Sequence, residues 1–227
     1  LPAQQEANIK ISQEQKLILN TADVVLHVSG AMFIPAHCAL IISDLHAGKA
    51  THFSKAGIPI SHLVEKNNYW KLSGVMDLYS PREIIFLGDL FHSALNDEWK
   101  SFIDFLDNYP QVQRTLILGN HDILKREIYS NALFQMMKCK NLGDLLLTHE
   151  PVEDISKEFI NVCGHIHPAY RLSSRVMRSV VMPCFYVMKH RVVMPAFGSF
   201  TGSHIIHPAA GDQVYAIANN RLVAISC

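Results

Sequence analysis

Leu40–Lys49 reads LIISDLHAGK, and the fold turns on how that run ends. Leu40, Ile41 and Ile42 suit a strand buried on both faces, and Ser43 adds little bulk. The run then stops at Asp44 and, two positions later, His46. A carboxylate and an imidazole are costly to bury without partners, so their position predicts the end of a strand at a sheet edge. Four more apolar runs end in the same way. IIFLGDLFH gives Asp89 and His92, LILGNHD gives Asn120, His121 and Asp122, LLLTHE gives His149, and INVCGHIH gives His165 and His167. Ligand sites of open α/β sheets lie outside the carboxyl ends of the strands. Gly88, Gly119 and Gly164 allow the loops there to turn sharply. Five such loops at one edge make a cup of oxygen and nitrogen donors.

Imidazole, carboxylate and one amide, without thiolate, suit a first-row divalent ion such as Mn²⁺, Fe²⁺ or Zn²⁺. The donors are too many for one ion and suit two that share a carboxylate. Two ions about 3.5–4 Å apart clamp the attacking and leaving oxygens of a phosphoryl transfer. That chemistry asks for positioning and charge neutralisation rather than a protein nucleophile, and the chain carries no Ser or Cys nucleophile motif. Any one of these endings alone reads better as a polar strand cap. Five in order argue for chemistry.

Around the cup the periodicity alternates. Residues 1–22 read as a polar arm with a short helix over Gln13–Leu19, and residues 23–227 as a single domain. DVVLHVSGAMFIP predicts a hairpin turning at Ser29-Gly30. Ser61 to Leu78 has helical spacing and stops before Pro81. DEWKSFIDFLDNY places Trp99, Phe102, Ile103 and Leu106 on one helical face, and a further short helix starts near Ile123. After Tyr129 the pattern is mostly β, with a hairpin at Asn219-Asn220. The class is therefore mixed α/β, with two packed sheets and helices outside.

The bulk composition is that of an ordinary globular chain, 49% hydrophobic and 18% charged over 227 residues. Lys plus Arg equals Asp plus Glu at 20 each, which excludes a global field for nucleic acid or membrane. A local basic rim remains open: Lys49 and Lys55 follow the first motif, and Arg171, Arg175 and Arg178 follow the last. The outlying count is His, at 13. His27, His37, His52, His62 and His190 read as structural or surface residues, and His204 and His207 lack a third ligand. Five cysteines without a CxxC pair point to a reducing compartment. With neither a secretory h-region nor a membrane-length apolar run, the expected location is the cytoplasm.

The motifs SDLH, GDLFH, GNHD, THE and GHIH stand in the order used by the calcineurin-like metallophosphoesterases, over about residues 40–168. GKATHFSKAGIPI, GDLFHS, GHIHPA, PCF and PAFGSFTG further resemble the DNA-ligase-associated phosphoesterase subfamily. The resemblance implies a four-layer αββα sandwich. It assigns one ion to Asp44, His46 and His167 and a second to Asn120, His149 and His165, with Asp89 bridging. Solvent activated between the ions would attack phosphorus, while His121 steadies the phosphate and protonates the leaving oxygen. Asp122 either orients His121 or caps a following helix, and His92 either stands near the substrate or packs behind it. The implied activity is phosphodiester hydrolysis in DNA with Mn²⁺, in association with a ligase or helicase repair system. Lys49, Lys55, Arg171 and Arg175 would grip the backbone. The rival readings are a phosphomonoesterase or cyclic- or dinucleotide hydrolase of the same fold, and an inactive binding scaffold.

Overall fold

Ala39–Ser43, the strand that carries LIIS, is buried along its whole length, and its side chains divide between two cores. Ile41 packs with Ile85, Leu87, Ile117, Leu145, Val162 and Val192. Leu40 and Ile42 pack with Ile84, Phe86, Leu72, Val75, Trp99 and Phe102. Successive residues of a strand point to opposite faces, so one face of this sheet meets a second sheet and the other meets helices.

The computed structural model describes residues 11–49, 63–91, 95–173, 179–199 and 201–226. His52, Lys55, His62, His92, Arg175 and Arg178 lie outside these residues. The chain runs β1 (Ile11–Ser12), β2 (Glu14–Leu19), β3 (Ala22–His27), β4 (Met32–Ile34), β5 (Ala39–Ser43), α1 (Leu63–Tyr79), β6 (Glu83–Leu87), α2 (Asp97–Leu106), β7 (Gln113–Ile117), α3 (Arg126–Asn131) and β8 (Phe134–Met137). It continues through β9 (Cys139–Leu142), β10 (Leu145–Thr148), β11 (Ile160–Cys163), β12 (Pro168–Leu172), β13 (Val180–Met188), β14 (Arg191–Val193), β15 (His204–Ile205), β16 (Gln213–Ala218) and β17 (Arg221–Ser226).

Strands β2 to β8 form a seven-stranded sheet in sequence order. It is antiparallel up to β5 and parallel from β5 to β8. The other ten strands form a second sheet, in which β10, β11 and β14 run parallel and β12 and β15 pair beside β13. Helices α1, α2 and α3 contribute Leu72, Phe102 and Tyr129 to the core outside the seven-stranded sheet. On the far face of the ten-stranded sheet, the described residues present a small cluster of Met182, Cys184, Ile206, Val214 and Ala216 instead of a helix.

The helix expected over Gln13–Leu19 is instead β2, and from Ile11 on the polar arm belongs to the two sheets. Leu17 packs against the inter-sheet core and Leu19 is buried in it, whereas Ile18 between them is 72% exposed. That is a period of two. The tight turn at Asn20-Thr21 fixes the register Leu19↔Ala22, with Asn20 in the left-handed region at φ 51°. The hairpin at Asn219-Asn220 forms as expected, with φ 47° and 58° at the two turn residues.

Candidate metal centre

Asp44 follows β5, Asp89 follows β6, Asn120 follows β7, His149 follows β10, and His165 and His167 follow β11. All five are carboxyl ends of parallel strands, and contacts between the two sheets draw them together. His165 N–H donates to Asp44 Oδ2 at 2.9 Å, and Phe197 N–H donates to Ser43 O at 2.8 Å. The backbone at the cup is held in unusual torsions. Asp44, His46, Asp89, His165 and His167 have φ of 51°, 48°, 47°, 66° and 51°. The left-handed region costs a side-chain-bearing residue roughly 1–2 kcal/mol, and such strain persists where the surrounding structure enforces it.

Two clusters of ligand-type atoms result: Asp44, His46 and His167, and Asp89, His149 and His165. In the first, His167 Nδ1 lies 3.1 Å from Gly202 O. A carbonyl only accepts, so Nδ1 carries the proton and Nε2 presents a lone pair. That lone pair faces Asp44 Oδ1 at 3.2 Å, and neither atom has a hydrogen-bond partner among the described residues. Asp44 Oδ2 is tied down separately by the His165 N–H at 2.9 Å and the Ser43 hydroxyl.

The second cluster follows the same logic. His149 Nδ1 donates to Leu87 O at 2.8 Å, which leaves Nε2 as a lone pair. Around Nε2 stand Asn120 Oδ1 at 3.0 Å, His165 Nδ1 at 3.2 Å and Asp89 Oδ1 at 3.5 Å. Several lone-pair carriers aimed at one another repel unless a cation sits among them, and this donor set suits a first-row divalent ion. The residues fit the group. Asp89 joins the two clusters, with Oδ2 3.6 Å from His46 Nε2 and Oδ1 towards His149.

With no cation between them, the charged groups of the cup act strongly on one another. Burial alone would raise the Asp44 carboxyl, but His167, Ser43 and His149 outweigh it and hold it below the ordinary carboxylate range. Burial lowers His167, and Asp44 more than reverses this, leaving it above the ordinary imidazole range. Lys49 is lowered by burial, opposed by the charge of Asp89, which puts its ammonium within the field of the cup. Asp122 is pushed up to about 6 by burial, against the pull of backbone N–H donors.

His121 stands exposed at the mouth, its N–H donating to Asp89 Oδ1 at 3.0 Å and its ring 5.8 Å from that of His46. Asp122 does not cap a helix, because α3 starts only after Lys125. Its carboxylate accepts from Gly119 N–H at 2.8 Å and Leu90 N–H at 2.9 Å, and so ties the third motif loop to the second. Arg171 lies exposed on β12, four residues past His167. Of the three loop glycines only Gly88 has positive φ, at 73°. Gly164 is needed for space, since a Cβ there would meet Ser43 Oγ at 1.7 Å.

Sequence reasoning missed the partners that orient the donors. Ser43 is one, and nothing marks it beside its apolar neighbours. The carbonyls of Leu87 and Gly202 are main-chain groups that no residue type announces. No described helix is long and apolar enough to cross a membrane.

Residues 39–184 match the family described as Calcineurin-like phosphoesterase. No curated protein matches the chain. Among solved structures, the Pseudomonas putida nuclease MPE aligns with a TM-score of 0.80 at 24% identity, covering 93% of this chain and 100% of that one. The phosphoesterase Yfce from E. coli aligns at 0.43 and 14% identity, covering 83% and 92% of the two chains. The first of these likenesses shows a shared fold.

Proposed function

The chain belongs to the calcineurin-like phosphoesterases, and from that premise we propose that it hydrolyses phosphodiester bonds of nucleic acid with two divalent metal ions. The observation that carries the reading is Asp89, which turns one oxygen to each cluster, at 3.6 Å from His46 and 3.5 Å from His149. Asp44, His46 and His167 would hold one ion, and Asn120, His149 and His165 the other, manganese before iron(II) or zinc. Ions so held lower the pKa of a solvent nucleophile and neutralise phosphate charge. His121, at the mouth, meets the incoming phosphate and delivers a proton to the leaving oxygen. Asp122 keeps that loop against the Asp89 loop through its two backbone hydrogen bonds. Lys49, beside Asp89, and Arg171 supply positive charge to the rim.

Nucleic acid is preferred over other diesters because the protein of like fold from Pseudomonas putida is a nuclease. PAFGSFTG and GHIHPA, which resemble the ligase-associated phosphoesterases, extend the reading to a repair role beside a ligase or helicase. The test is hydrolysis by manganese-loaded protein of bis(p-nitrophenyl) phosphate against p-nitrophenyl phosphate, with single-stranded, duplex and hairpin DNA alongside. Diester cleavage with release of DNA fragments is expected. Hydrolysis of the monoester alone would overturn the reading.

A further inference from the structure

One wall of the cup opens into a cavity of about 580 Å³, of which His167 is itself a lining residue. That is within the range of pockets that take a ligand of nucleoside size. Val28, Pro168, Val181 and Phe197 line it with apolar surface, while Ser199 and Thr201 bring hydroxyls. Much of the lining is the run 196–199 with Thr201 and Gly202, which gives the metal cup only the Gly202 carbonyl that holds His167. It is fixed by Gly198 N–H to Asp44 O at 3.1 Å and by Ser199 Oγ to Asn68 Oδ1 at 2.7 Å.

Lys71, from α1, also lines this cavity. Its ammonium donates to Phe197 O and sits 4.0 Å from the centroid of the Phe197 ring. No carboxylate among the described residues pairs with it. A cation in a largely apolar recess without an acid invites an acceptor from outside. A second phosphate would have to shed water against Val28 and Pro168 for a single ammonium, which is unfavourable. A planar heteroaromatic ring buries both faces there and offers Lys71 a carbonyl oxygen or ring nitrogen.

We propose that the cavity between Lys71, Phe197 and His167 seats the base of the nucleotide adjoining the scissile phosphate. The inference rests on the phosphodiesterase reading above. A base within a duplex is stacked and paired, and reaches such a recess only when splayed out.

The test compares cleavage, with Mn²⁺, of a single strand carrying an intact base beside the labelled phosphate and of the same strand abasic at that position. The intact strand is expected to show about tenfold higher kcat/KM, as base burial against apolar and aromatic surface gives. Val181 is 43% exposed, so Val181→Trp can fill the cavity without entering the core. Val181→Trp and Lys71→Met should each bring the intact-to-abasic ratio towards one, whereas Lys100→Ala on α2 keeps it. Binding is read without turnover by titrating metal-free protein with thymidine 5′-monophosphate, uridine 5′-monophosphate and deoxyribose 5-phosphate. Either nucleotide should bind about tenfold tighter than the bare sugar phosphate, and the tighter of the two tells DNA from RNA. Thermal unfolding checks that the variants fold, and should Val181→Trp fail, Lys71→Met and the wild-type titration decide. Equal cleavage and equal binding of ligands with and without a base would overturn the inference and leave the phosphodiesterase reading standing. Nucleotide binding in a protein that cleaves no diester would do the reverse.

Discussion

Asp89 faces two imidazoles with two different oxygens, so a change there is felt by both clusters. Asp89→Asn keeps the shape and the left-handed torsion but removes the charge. Elemental analysis after manganese loading should show bound metal falling from about two ions per chain to one or fewer. Diester turnover should drop at least about a hundredfold. Lys71 gives a second prediction, on stability. Burial pushes its ammonium down to about 8 from an ordinary 10.5. Below about pH 8 folded and unfolded chains both hold the proton, and the cost of burying it is present in full. Between about 8 and 10.5 the folded chain loses it first. The unfolded chain then binds more protons, and stability rises with pH. The rise is at most roughly 3 kcal/mol. Denaturant titrations across that window should show the wild type gaining on Lys71→Met. The residues of the cup were legible at this scale because each stands where an apolar run stops. Lys71 was not, since a lysine in a helix reads as solvated until the neighbouring segment folds over it.

At the scale of elements, the strand endings succeed because each turn leaves room for the next. Gly164 passes so close to Ser43 and Asp44 that a methyl group would fall 1.7 Å from Ser43 Oγ and 2.5 Å from Asp44 Oδ2. Gly164→Ala must therefore push β5 and β11 apart at the cup. We expect a loss of about 1–3 kcal/mol in denaturant unfolding together with weaker manganese uptake in the same protein, whereas a distant core substitution would show only the first. The elements were largely readable: α2 follows from Trp99, Phe102 and Leu106 on one face, closed at its start by Asn96 accepting from Glu98 N–H at 2.9 Å. The failure was β2. Gln and Lys dilute its alternation, and its strand character comes from pairing with β3 and packing of Leu17 and Leu19, which local pattern does not carry.

For the whole molecule, zero formal net charge limits how a polyanion is held. Affinity for single-stranded DNA should depend weakly on salt, with a slope of log K on log salt of about −1 to −2, as for two or three neutralised phosphates. Filter binding or fluorescence anisotropy in calcium, to suppress cleavage, would measure it. A slope of about −5 would mean a basic surface that the composition does not predict. The sequence made the two-sheet class readable through its switch from alternating to mostly β pattern. It did not reveal that β14 lies between β11 and β13, because parallel pairing joins residues far apart along the chain. The same long reach governs how the polypeptide is made. Ser12 pairs with Leu222 in one sheet, and Glu14, two residues on, pairs with His27 in the other. A nascent chain can therefore close its second hairpin partner early, yet the short strand before it waits for residues emerging from the ribosome some two hundred positions later. Until then β1 has no strand to join, and synthesis itself, rather than any single contact, decides when that rim of the larger sheet takes its final form.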